Sequence, residues 1–147
     1  MKTRALVMAG MMALTVLATT RVAEAQKAVV VNIPFDFVAG STQLPAGEYT
    51  VSVSTPTHSV ILISRKDATA SAFISTNAAV SAMPQTESKL IFNRYGDRYF
   101  LAQVWQEGYA QGRQLLKSAR EKEVAQTADL QTEGQVTLVA GLSPTNR

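Results

Sequence analysis

The side chains with the widest chemical repertoire are few in this chain, and their spacing limits what they could do together. His58 is the single histidine and there is no cysteine. A metal at His58 would have to be held by carboxylates and water, and the Thr55-Pro56-Thr57-His58-Ser59 stretch reads as a loop in which a histidine is simply solvated. A serine nucleophile would need the same His58 as its base, and Ser59 beside it in sequence does not create triad geometry. Thiol chemistry and thiolate metal sites are excluded outright. Gly40, Gly47, Gly96, Gly108 and Gly112 never fall into the spacing that cradles phosphate ahead of a helix. No cofactor is expected from these patterns.

Carboxylates are the wider net, because glycoside hydrolysis needs only two acids held a set distance apart. Asp36, Glu48, Asp67, Glu87, Asp97 and Glu107 mostly fall at strand ends or turns, where charge needs no functional explanation. A carboxylate-dependent hydrolase would bring two of them to one cleft. Asp36 stands apart, between Phe35 and Phe37. If buried, it requires a partner, and Arg94 or Arg98 is the candidate for that buried ion pair. Arg113, Lys117 and Arg120 recur at helical spacing, but Glu121 and Glu123 interrupt the charge, which favours a solvated face over an anion site. Tyr95, Tyr99, Trp105 and Tyr109 are the candidate ligand or interaction surface, of the kind sugar-binding β domains present. The competing reading is that these rings are core.

The elements that must position these residues are mostly strands. Lys89 to Gly108 reads as a hairpin folded on Gly96-Asp97, with glycine first in a two-residue loop as a type II′ turn requires, and with Phe92 opposite Leu101 and Ile91 opposite Ala102. Val29 to Phe37 alternates apolar and polar residues, and Pro34 places that strand at an edge or breaks it. Ala39 to Gly47 reads as a reversal. Glu48 to Ser54, Val60 to Ser64 and Ala70 to Val80 follow as strands, the last weakened by its alanines. The composition of Arg113 to Leu130 predicts a helix, with Lys117 and Glu121 as an i,i+4 pair. Residues 135 to 140 predict a final strand, and Ser143 to Arg147 a frayed tail. The sum is a mainly β domain, an antiparallel β-sandwich or small β-barrel of about seven strands with one late helix.

Lys2 and Arg4, the apolar run from Ala5 to Ala18, and Ala23-Glu24-Ala25 follow the order of a secretory signal peptide cleaved after Ala25. The run is short of the roughly 20 residues of a spanning helix, so no stable membrane anchor is expected after cleavage. A single domain, 26–147, remains. Of 14 basic and 11 acidic residues, losing Lys2, Arg4, Arg21 and Glu24 leaves 11 and 10, a net charge of +1 that gives no reason to invoke nucleic acid.

Ile33-Pro34-Phe35-Asp36-Phe37, Leu44-Pro45-Ala46-Gly47-Glu48-Tyr49-Thr50-Val51 and Arg94-Tyr95-Gly96-Asp97-Arg98-Tyr99-Phe100-Leu101 together resemble a family of small exported bacterial proteins of unassigned function. The resemblance implies export and a shared β fold, with no catalytic or ligand residues to carry over. Leu44 to Val53 also looks like the LPxGxYxV segment of transthyretin-like and collagen-adhesin B-type sandwich modules. The expectation is a non-enzymatic binding or interaction module, periplasmic or extracellular, with an unknown protein or carbohydrate partner. The alternative is a structural subunit that forms homo-oligomers by edge-strand addition.

Overall fold

The computed structural model describes residues 28–53, 59–128 and 133–141. The leader, His58 and the Ser143 to Arg147 tail lie outside the described residues.

Alternation in the first strand stops where the proline demands it. β1 (Val29–Ile33) buries Val29, Val31 and Ile33, Pro34 interrupts, and the chain resumes as β2 (Phe37–Ala39). β1 pairs only with the strand over Gly47–Val53, so the edge position and the break both hold. The reversal expected over 39–47 contains one more short strand, β3 (Thr42–Leu44), paired back onto β2. β4 (Gly47–Val53), β5 (Val60–Arg65) and β6 (Ser71–Val80) form an antiparallel meander. The alanine-rich β6 is the longest strand, and Ala72, Ile74 and Thr76 face inward as the pattern requires. Its first half pairs with β5 and its second half with β9 (Gln111–Leu115), so β6 carries the sheet from one layer into the other.

β7 (Lys89–Tyr95) and β8 (Arg98–Trp105) are the expected hairpin. Gly96 has φ +66°, while Asp97 is not among the residues with positive φ, which is the type II′ arrangement. Phe92 lies opposite Leu101 as predicted, but Ile91 lies opposite Gln103, because a β-bulge leaves Ala102 as the extra residue. β10 (Glu133–Val139) pairs with the other side of β7. The result is a single, mostly antiparallel sheet of ten strands that is not closed, with β1, β3 and β10 each bonded to one neighbour only. This mainly β architecture is sandwich-like.

The inner faces enclose one core, with Phe37, Leu44, Tyr49, Val51, Ile61, Ile63, Leu90 and Phe92 all buried. Phe37 meets Tyr49 and Phe92 edge to face, with ring centroids 5.3 and 5.5 Å apart. On the outer face of β8 a smaller cluster of Val38, Tyr95 and Phe100 is covered by Val124 and Ala125 of α1 (Ala119–Thr127) and by Ala128, its C-cap. Apolar side chains therefore leave the hairpin on both faces, as expected of central strands.

The helix expected over 113–130 starts later. Residues 111–115 are strand β9, which fills the gap between β6 and β8 and satisfies their backbone groups, a tertiary demand that outweighs local helix preference. Ser118 then caps α1, its Oγ accepting the Glu121 N–H at 3.1 Å. Arg113 therefore sits on a strand, Lys117 before the helix and Arg120 in its first turn, and the three make no stripe. No helix among the described residues is long and apolar enough to cross a membrane.

Candidate functional site

The aromatic residues separate once the fold is assembled. Tyr95 and Trp105 are buried, and Tyr99 is half-buried and stacked on Phe35 with centroids 3.8 Å apart. Only Tyr109 is well exposed, at 54%. The four rings do not share a surface. Trp105 lies against Gly112 and donates its Nε1–H to Gln103 Oε1 at 2.9 Å.

The proposed ion pair also fails its own condition, because Asp36 is exposed. Its Oδ1 accepts the Ala46 N–H at 2.8 Å, which ties the Pro34 break to the turn before β4. Arg94 and Arg98 are exposed as well, and Arg94 donates from Nε to the Gly96 carbonyl at 2.7 Å while its guanidinium lies 5.8 Å from the Tyr99 ring centre. Among the described residues the ion pairs are Lys66 with Glu48 at 3.1 Å and Arg65 with Asp67 at 3.6 Å, both at the β5–β6 turn. Asp36, Asp97, Arg98 and Arg120 do border one shallow hollow of about 160 Å³. No group of three or more potential metal ligands occurs among the described residues.

A larger concavity, about 340 Å³, lies on the outer face of β7, β8, β9 and β10 beside the start of α1. Strand register builds it. Asn93 faces Gln135 across β7–β10, Gln103 faces Gln114 across β8–β9, and Glu133 faces Tyr95. The bulge matters here: Leu101 and Val104 both point into the core, so Ala102 and Gln103 between them both turn outward and line the concavity. Lys117 closes one side.

Behind this lining sits Glu121, a carboxylate on a residue only 4% exposed. Its Oε1 accepts from Asn93 Nδ2 at 2.9 Å and from the Tyr95 hydroxyl at 3.2 Å. A buried charge is tolerated when it is bonded in this way. Burial raises the Tyr95 phenol above its ordinary range, with Lys117 opposing that shift. The Tyr95 phenol in turn holds Lys117 above the usual lysine range, and Glu121 and Glu133 add to it. Lys117 and Glu121 do not form the helical i,i+4 pair expected from their spacing, because Lys117 precedes the Ser118 cap and only Glu121 is on the helix. That both belong to a site was not legible in sequence, because nothing local says which face of a short helix meets Asn93.

No family model, curated protein or solved structure matches the chain. The site therefore has to be interpreted from its own chemistry. Its groups are hydrogen-bond donors and acceptors, with Asn93 and Tyr95 bonded to Glu121 and Gln103 bonded to Trp105.

Proposed function

We propose that the chain is an exported, non-enzymatic binding module, and that its ligand-contacting surface is the amide-lined concavity beside α1. The observation that carries the reading is the buried Glu121, which from behind the lining holds two of its residues, Asn93 and Tyr95, in set positions. A pocket wall that is rigid before the ligand arrives loses little conformational freedom on binding. A thermal-shift screen of the mature chain against small polar solutes tests it. At least one solute should raise the melting temperature of the native chain and lose that effect in Gln114→Ala. A screen in which nothing stabilises the native chain sinks the reading.

The export half rests on the leader pattern of residues 1–25. Expression of the full chain in a bacterial host, followed by cell fractionation and N-terminal sequencing, should return a product outside the cytoplasm that begins at Gln26. Retention of an intact Met1 product in the cytoplasm would contradict it.

A second reading, a subunit that assembles by strand addition, is favoured by the edge strands β1 and β10, which, like the short β3, bond to one neighbour each. Light scattering at high concentration separates the two, since a strict monomer removes the assembly.

A further inference from the structure

The geometry points to a neutral, hydroxyl-rich ligand for the concavity, a saccharide unit bound through side-chain amides. This rests on the binding reading above and names the ligand class for that same site.

The argument starts from which end of each amide is oxygen. Trp105 Nε1 can only donate, so the Gln103 atom facing it is Oε1 and its NH₂ is left for other partners. The Glu121 carboxylate accepts, so the Asn93 atom facing it is Nδ2. Asn93 Oδ1 then accepts from Gln135 Nε2 at 3.3 Å, which leaves Gln135 Oε1 as an acceptor. Gln114 has neither end engaged among the described residues, and it lies opposite Gln103. Two chains of bonds, one anchored on a buried carboxylate and one on the indole, thus present an acceptor and a donor, and Gln114 adds a whole carboxamide around the same space. A hydroxyl group both donates and accepts, and a ligand carrying several on adjacent carbons meets that alternation.

Charge points the same way. Lys117 and Glu133 both line the concavity, so one charge of each sign faces it. An ionic ligand would find one matching and one opposing charge there, and a charge without a net partner is costly to enclose. Ala102 and Gly134 add two small residues to the lining, which leave room for a ligand to approach the backbone. About 340 Å³ lies at the lower end of the range for small-molecule sites, roughly 300–1,000 Å³.

The single tryptophan provides the readout, because its indole bonds Gln103 and Gln103 lines the site. The mature chain is titrated, with Trp105 emission and side-chain amide NMR signals followed, against N-acetylglucosamine, galactose, maltose and cellobiose, and in parallel against glucuronate, glutamate, lysine and inorganic phosphate. The expected result is a saturable change with at least one neutral saccharide, weakened about tenfold in Gln114→Ala and in Gln135→Ala, as loss of one well-placed hydrogen bond implies. Both variants are at exposed positions, and circular dichroism checks that they fold. If the charged probes move the Gln103, Gln114 and Gln135 signals and the neutral sugars do not, the ligand class is overturned while the binding reading stands. If no probe moves them, both fall.

Discussion

Trp105 and Gly112 meet face to face across the β8–β9 pair: a Cβ built on Gly112 would lie 2.6 Å from Cε3 and 2.7 Å from Cδ2 of the indole. Separations below 3 Å are not sustainable, and the atoms in the way belong to a rigid ring rather than to the tip of a flexible chain. Glycine at 112 is therefore required by packing and not by backbone conformation. Gly112→Ala is expected to destabilise the domain by about 1–3 kcal/mol, the usual range for overpacking. Urea denaturation followed by Trp105 emission checks it. The native indole is 8% exposed, so the variant should also emit at longer wavelength in the folded state.

Glu121 is the second test. Glu121→Ala leaves Asn93 Nδ2 and the Tyr95 hydroxyl without their acceptor, at a cost of about 1–3 kcal/mol. Glu121→Gln keeps an acceptor oxygen and should lose less. Because the groups share one network, Glu121→Ala combined with Tyr95→Phe should destabilise by less than the sum of the single changes, and equilibrium denaturation of the four proteins measures the difference.

Alkaline pH gives the third. Burial raises the phenols of Tyr49, whose hydroxyl donates to the Pro45 carbonyl at 2.7 Å, and of Tyr95. A folded-state pKa above the unfolded one means that the native state holds its proton longer. The stabilisation is complete below an ordinary phenol pKa of about 10 and is lost as pH rises through the folded-state values. Lys117, also raised, contributes with the same sign. Stability should therefore fall between roughly pH 10 and the folded-state titrations. Tyr49→Phe and Tyr95→Phe should each flatten that fall in denaturation measured across the range, with phenolate absorbance reporting the titration directly.

Several features of this protein were decided by local chemistry and so were legible in its sequence. The Gly96-Asp97 turn is one, since a two-residue hairpin loop of that type needs positive φ at its first position and glycine supplies it. The break at Pro34 is another, because a residue without an N–H cannot continue a ladder. Alternation in β1, β4 and β6 also carried, as each buries alternate residues and the two-residue period of a strand is a property of its own backbone.

Tertiary structure alone decided the rest. Arg113 to Leu115 belong to a stretch whose composition favours helix, yet with Gln111 and Gly112 they become β9, because β6 and β8 present backbone groups that only a strand between them can satisfy. Asp36 sits between two phenylalanines, yet the turn before β4 brings the Ala46 N–H to it in solvent, so no arginine is called for. The bulge at Ala102 exists only in the pairing of two strands, and it alone turns Gln103 outward beside Ala102. The amide-lined concavity follows from that shift and from α1 laying Glu121 against Asn93. Each depends on groups distant in the chain meeting at a face that must be covered or an edge that must be bonded, and spacing along the chain does not encode where those meetings fall.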